Sequence, residues 1–560
     1  MNLIRANWLP MRTRDGGINY HSPSSIADPD ILDLALPRAD FQGAAYQFLI
    51  GLLQTALPPK SHDDWLNRYL EPPAIEELAS AFSPLSAAFE LDGDGPRFMQ
   101  DLDLLEEANP SPVAGLLIDS PGANGIKLNT DHFTKRGRVE VACSDCAALA
   151  LFTLQINAPS GGAGYRVGLR GGGPLTTLVL PERADATLWQ RLWLNVMPTA
   201  SVVGAGGRNL EAKPENDTLF PWMGPTRVSD KKGAVVTPDE VHPLHPYWAM
   251  PRRFRLLFEN GACQCDLCGR ETTRFVREIR AKNYGANYDG PWLHPLTPYR
   301  QDPKKPNEPP LSQKGQPGGL GYRHWSHLVL QDAESSGALP AAVVHDYLHG
   351  KAPASEEAQR EGDIDERLLK QVRLWAFGYD MDNMKPRCWY GVEMPLIAIP
   401  PKHEEIFRSW VQAFTELARQ VAWMLRYQIK GAWFSRPADA KGDMSSIDEQ
   451  LYDATEAAFF RNLFALRQAL QNGQDIHMPS HVAESWYVDL RRESLRLFEL
   501  LSLSGPHEEL DMRRIIQARR NLLAWLSGRS KGSKFIQQFA KEGGFSLTAD
   551  QKNKATERMS

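Results

Sequence analysis

Apolar residues recur at helical spacing through residues 40–57, where Phe41, Ala45, Phe48, Leu52 and Leu53 share a face. Pro58-Pro59 ends the run, which predicts a helix. Residues 149–156 are a largely apolar segment of strand length, and 175–180 are a second strand candidate. Between them lie Gly161, Gly162, Gly164, Gly168, Gly171, Gly172 and Gly173, which predict a long loop. Residues 299–322 are rich in Pro, Gly and Lys and read as a solvated loop. Residues 341–344 and 372–377 are further apolar runs.

After Pro400-Pro401 the period changes. Ile406, Trp410, Phe414, Leu417, Val421 and Leu425 mark one helical face, with Gly431 as the stop. Ser446 and Glu449 have capping-box spacing ahead of a helix through Leu451, Leu463 and Leu470, closed by Gly473. A third helix follows Ser480 through Trp486 and Phe498, and a fourth covers about 508–526. Four amphipathic helices with short links predict an antiparallel bundle. No internal repeat is evident.

The chain has 560 residues, well beyond the ~250–300 at which one core stops growing. The expected fold class is therefore α+β in two domains. Residues 1–399 form a large mixed α/β domain and 400–560 a C-terminal four-helix bundle. No run approaches the ~18 apolar residues of a membrane helix. The first residues lack the basic-then-apolar layout of a signal peptide, so a cytoplasmic protein with no membrane partner is expected.

A net charge of -5 means that any nucleic-acid contact needs a local basic patch. Arg252, Arg253, Arg255, Arg270, Arg274, Arg277, Arg280 and Lys282 supply one candidate, with a solvated charged face as the plainer reading.

Four of the six cysteines form two C-x-x-C pairs, Cys143/Cys146 and Cys265/Cys268. Two such turns complete a four-sulfur shell, so structural zinc is expected, against a set of small buried thiols. A closed shell leaves no open position for catalysis; such a site staples the fold. Cys263 and Cys388 are left as packing residues.

The glycine-rich segment departs from the dinucleotide fingerprint in spacing, and residues 167–174 at its end cannot start a helix. It offers backbone without bulk, suited to close approach to a groove, with Arg166 and Arg170 placed to contact phosphates. His345-Asp346 spells the pair used by metal-dependent nucleases and phosphohydrolases, the alternative function, but the further ordered ligands cannot be assembled. His242, His245 and His294 lie beside prolines and read as loop histidines. No nucleophile elbow, phosphate-binding Walker loop or H-E-x-x-H is present, so the sequence gives no positive case for catalysis.

Taken in order, these segments resemble the CasA family, the large subunit of the type I-E CRISPR Cascade complex. The resemblance rests on Asn2-Leu3-Ile4, Asn7-Trp8-Leu9-Pro10, Phe98-Met99-Gln100 and the first cysteine pair with 147–152 directly after it. It continues with Gly168-Leu169-Arg170-Gly171-Gly172, the second cysteine pair and Gly290-Pro291-Trp292-Leu293-His294-Pro295. Gly378-Tyr379-Asp380-Met381-Asp382-Asn383-Met384-Lys385 and the helical C-terminus complete it.

The resemblance implies a non-enzymatic subunit that reads the protospacer-adjacent motif in double-stranded DNA and promotes strand separation and R-loop formation. Its implied partners are the backbone, small and crRNA-capping subunits, the crRNA, target DNA and a recruited helicase-nuclease. The family's glycine loop falls on Ser160, Gly161, Gly162, Ala163 and Gly164, with Ala163 a departure from glycine. Its lysine falls on Lys282, with Asn283 as the alternate, and its wedge on Asn383 flanked by Asp382 and Met384. His132, Phe133, Lys135 and Arg136 would meet the crRNA handle or a neighbouring subunit; on composition alone they form a charged turn.

Overall fold

The computed structural model describes every residue except 121, 123–126, 128–134, 136, 203–205, 207, 232–233, 316, 333, 362–371, 383–384, 474–476, 505–509 and 548–560. The chain divides into two compact units, Met1–Pro317 with His327–Leu396, and Gly318–Ser326 with Ile397–Ser560.

The first unit is mixed α/β and forms around helix α1 (Ala39–Ala56), which is buried on every side and not on one face alone. Phe48 meets Trp8, Phe98, Phe152 and Trp248 edge-on at centroid distances of 5.5, 5.8, 5.7 and 5.9 Å. This geometry sets the positive ring edge against a negative face. Within that core Gln54 is satisfied by both backbone groups of Met197, at 2.9 and 2.8 Å.

The apolar run 149–156 is not a strand. It belongs to helix α2 (Ser144–Asn157), nearly all of which is buried. A helix packed on all sides loses its polar face, so periodicity cannot separate it from a buried strand. The start is instead set by Cys143, whose Sγ accepts the Cys146 N–H at 3.5 Å.

Four antiparallel sheets accompany these helices, one of them small. In the first, β1 (Leu9–Thr13) is flanked by β2 (Ile18–His21) and β3 (Ile31–Leu34). In the second, the long β8 (Glu271–Lys282) pairs with β4 (Ser111–Pro112), β5 (Ala142–Cys143) and β7 (Arg253–Gln264). In the third, β12 (Val372–Asp382) lies between β6 (Thr176–Pro181) and β13 (Lys385–Leu396). The stretch expected to be a plain loop carries β9 (Tyr299–Arg300) and β10 (Leu311–Ser312), which pair with each other; β11 (Ala338–Leu339) also pairs with β9.

The second unit is helical at the C-terminus: α3 (Glu404–Trp433), α4 (Ser445–Gln471), α5 (Ser480–Ser502), α6 (Met512–Leu526) and α7 (Lys534–Glu542). Helix α3 packs against each of the other four. Trp486 stacks on Phe414 at 5.7 Å and donates its indole N–H to the Phe414 carbonyl at 3.1 Å. Three local expectations are corrected. Helix α3 runs through Gly431 to Trp433, since one interior glycine costs only about 1 kcal/mol. Helix α4 begins at Ser445 with Met444 at its cap and no side-chain cap bond, so Ser446 and Glu449 form no capping box. The short α7 is an addition. Among the described residues no helix is long and apolar enough to cross a membrane.

Candidate nucleic-acid interface and metal centre

The four predicted ligands meet. Cys143 ends β5, Cys146 lies in the first turn of α2, and Cys265 and Cys268 form the turn joining β7 to β8. Their four Sγ atoms lie within 4.8 Å of one another, three of the residues being buried. The Cys143–Cys268 separation of 3.8 Å matches the edge of a sulfur tetrahedron with bonds of about 2.3 Å. Backbone support is of the kind a thiolate needs, with the Cys143 N–H pointing at Cys265 Sγ (3.2 Å). Gly269 takes the positive φ, 73°, that closes the knuckle. Hydrogen bonds from Cys143 and Cys146 pull the Cys268 thiol down to about 7, while sharing with Cys143 pushes Cys146 up. Around the cluster, Asp266 accepts the N–H groups of Glu140 (2.7 Å) and Val141 (2.8 Å). Arg270 pairs with Asp145 at 2.9 Å and lies 3.6 Å over the Tyr20 ring.

Two elements leave this knuckle and arrive at one place. Helix α2 runs from Cys146 towards the glycine loop. Strand β8 runs from the turn after Cys268 to Lys282, roughly 36 Å at ~3.3 Å per residue. At its end Asn283 donates its side-chain amide to the Ala163 carbonyl (3.1 Å), and the Tyr284 N–H bonds the Gly164 carbonyl (2.8 Å). Gly162 and Gly164 have φ of 103° and 78°. A Cβ on Gly164 would come within 2.8 Å of Asn283, whereas Gly162 faces open space. Ser160, Gly161, Gly162 and Ala163 are all exposed. Lys282 projects beside them and meets the fully solvated Glu107 at 3.1 Å; such a pair is weak enough to leave the ammonium available.

The loop's main brace is Arg252, which donates to the carbonyls of Pro159 and Arg166, one on each side of the loop, and stacks over Tyr165 at 4.9 Å. Burial pushes its pKa down to about 10. The sequence marked this residue only as one of a basic cluster.

Three of that cluster, Arg252, Arg253 and Arg255, are buried, and others are tied up in ion pairs nearer the surface. Arg253 pairs with the buried Asp101, Arg255 donates to the Asp101 carbonyl (2.9 Å), and Arg274 pairs with Asp92. Arg170, expected at a phosphate, is 3% exposed. It instead donates to Thr176, Thr297 and the Ile156 carbonyl, each at 3.0 Å. Arg166 is likewise occupied by Ser229, at 2.6 Å.

The β12–β13 hairpin ends at the facing pair Asp382 and Lys385. Asn383 and Met384, expected at the wedge, lie outside the described residues; so do His132, Phe133 and Arg136, while Lys135 is exposed. The hairpin's trunk touches the glycine-rich segment, since a Cβ on Gly173 would overlap the Met381 side chain. Gly172 in turn lies against Pro159 and Ser160.

The histidines read as loop residues are buried structural groups. In both His242-Pro243-Leu244 and His294-Pro295-Leu296 the ring Nδ1 accepts the leucine N–H at 3.1 Å. The same turn is thus built twice. Asp346 is held by His62 (2.9 Å) and by the wholly buried Lys351 (3.0 Å). Burial opposes its ionisation, but the Lys351 charge together with hydrogen bonds from His62, Lys351 and Ser201 outweighs this and pulls the carboxyl down to about 2. Among the described residues, the only His/Cys/Asp/Glu group placed to hold a metal is the four-cysteine cluster.

The fold thus combines a mixed α/β unit carrying a four-cysteine knuckle and a side-chain-poor surface loop with a helical C-terminal unit. The profile of the family described as CRISPR-associated protein Cse1 matches residues 2–497, and the chain belongs to that family, also called CasA. Among solved structures, it is similar to CasA (Cse1) of Thermus thermophilus, with 19% identity over 93% of this chain and 99% of that one, TM-score 0.64. Thermobifida fusca Cse1 gives 17% identity, 97% and 98% coverage and TM-score 0.64. A chain of a CRISPR RNA-guided surveillance complex gives 16%, 94% and 99%, and 0.63.

Proposed function

We propose that this chain is the large subunit of a type I-E Cascade complex, a binding protein that reads the protospacer-adjacent motif in duplex DNA. The carrying observation is the junction of the exposed loop 160–164 with Lys282 and Asn283 at the end of β8. A backbone-rich turn fits the narrow minor groove, and a neighbouring ammonium meets phosphate. Minor-groove readout is degenerate, which suits a short tag while base pairing to the guide reads the remaining sequence.

On this reading the tip between Asp382 and Lys385 carries Asn383 as the wedge, and its insertion offsets unstacking of a few kcal/mol per step. R-loop formation and recruitment of a helicase-nuclease follow. Residues 129–138 meet the crRNA handle or a neighbouring subunit. The cysteine cluster binds structural zinc; Cys143, Cys146, Cys265 and Cys268 supply the whole shell, and the ion staples the start of α2 to the start of β8. We read the four long C-terminal helices as a bundle facing the partner subunits. The metal-nuclease alternative draws no support from Asp346, whose carboxylate is taken up by His62 and Lys351.

The test is motif-dependent duplex binding by the complex assembled with its guide RNA. Lys282→Ala and Asn383→Ala should each weaken it without unfolding the chain. Normal binding by both variants overturns the assignment.

A further inference from the structure

We propose that a cleft at the root of the β12–β13 hairpin receives one unpaired nucleobase of the duplex opened beside it. The inference rests on the strand-separating role argued above and adds a receiving site to it. Strand β6 pairs with β12 only as far as Phe377, so from Gly378 onward the hairpin stands as two strands. Tyr379 and Trp389 face each other across it, their rings edge-on at 4.8 Å. That pair lies three residues short of the last pair, roughly 10 Å from the tip.

Beside it opens a cleft of about 240 Å³ lined by Tyr379, Pro386, Trp389, Arg38, Asp119 and Arg387. The volume falls below the roughly 300–1,000 Å³ of pockets for drug-sized ligands, so it suits a single ring system. The half-buried Trp389 offers an aromatic surface, and every base has a π-face. Opposite, Arg38 is locked by two 2.9 Å bonds to Asp40 and one of 3.0 Å to Asp119. Side chains of Arg38 and Asp119 keep 22% and 20% exposure, which places a fixed donor beside a fixed acceptor at the cleft. That alternation matches the edge of a base. Two arginines and two aspartates (Asp40 is the second) balance the lining, which favours a neutral planar guest over a phosphate or a basic side chain.

A base that leaves the stack re-pairs unless something holds it, so such a site would raise the net rate of opening by blocking re-pairing. The test uses the assembled complex and duplexes carrying 2-aminopurine at each of the first positions beside the motif, in either strand. One position should be quenched on opening, with the quench lost in Trp389→Leu and kept in Trp389→Phe. Trp389→Leu should slow opening on the order of tenfold while leaving motif-dependent capture of the closed duplex unchanged. Asp119→Asn, at a partly exposed site, gives a second variant with an altered polar edge and should also weaken the quench. Opening at the wild-type rate with no quenched position overturns the proposal, as does a loss of subunit assembly in place of opening, which would mark a protein guest. Loss of capture by Lys282→Ala alongside unaffected opening in Trp389→Leu would sink the pocket alone; normal capture by Lys282→Ala and Asn383→Ala would sink the underlying reading.

Discussion

The Asn283 side-chain amide donates to the Ala163 carbonyl at 3.1 Å, tying the end of a long strand to the middle of an exposed turn. This bond is at the surface, and a single exposed hydrogen bond contributes about 0.5–1.5 kcal/mol. Asn283→Ala should therefore leave the melting temperature almost unchanged while loosening the loop. Motif-dependent duplex affinity should fall several-fold in a gel-shift titration of the assembled complex. Asn283→Asp should be worse, because it turns a carboxylate towards a carbonyl.

Gly162 and Gly164 share a positive φ and differ in surroundings, which separates folding from binding. Either alanine substitution costs on the order of 1–2 kcal/mol for the backbone. Gly164→Ala adds a clash with Asn283, worth about 1–3 kcal/mol more. Urea denaturation should rank Gly164→Ala clearly below Gly162→Ala. The Gly162→Ala protein, the less destabilised of the two, should still bind motif DNA poorly, because its new methyl occupies the open side of the loop.

The cysteine cluster and the glycine loop are unequally legible in the sequence. The C-x-x-C spacing identified all four cluster cysteines, because a tetrahedral ion dictates both residue type and interval. Helix α2 reads as a strand in the sequence because burial on all sides erases its period. Arg170 and Arg252 were read as surface cations. A sequence cannot show that backbone carbonyls, such as those of Ile156, Pro159 and Arg166, will surround a guanidinium and make it a brace. The doubled His-Pro-Leu turn is present in the sequence, but a signal of three residues is too short to stand out.

Elemental analysis of the purified chain should give about one zinc, the full complement of a four-cysteine shell. Chelation or Cys265→Ser should lower the melting temperature by several degrees and increase hydrogen exchange first at the start of α2 and the β7–β8 turn. Asp266→Ala keeps every thiol but strands the N–H of the buried Val141, that of exposed Glu140 turning to water, so about 1–3 kcal/mol should be lost with the metal retained.

Acid should destabilise the first unit well above the range in which carboxylates titrate. Burial holds His245 down to about 4 and His294 well below its usual 6.5. Both are neutral when folded, while the unfolded chain takes up protons below about pH 6.5. The unfolded state then binds more protons, so stability is complete above that pH and falls as acidity increases. His245 alone should cost about 2 kcal/mol by pH 5. Thermal melts between pH 7.5 and 5 should show the loss, and His245→Gln should remove the His245 share of it, leaving that of His294, while lowering stability at neutral pH.

The pairing of Asp346 with Lys351 allows a structural role to be told from a catalytic one. Lys351 is wholly buried, contacts Asp346 at 3.0 Å and lies 5.3 Å from the Trp65 ring. Removing one partner of a buried pair leaves an uncompensated charge and costs about 3–5 kcal/mol, whereas replacing both with apolar groups is often close to neutral. Asp346→Asn should therefore cut stability sharply in urea titrations. The double variant Asp346→Leu with Lys351→Met should recover much of the loss, and both should leave motif binding by any folded protein unaltered. A hydrolytic site would give another pattern: metal-dependent DNA cleavage by the wild type, abolished in His345→Ala and in every Asp346 variant whatever its stability. Recovery of folding in the double variant without any cleavage at the start would identify Asp346 as the counter-ion of a buried lysine.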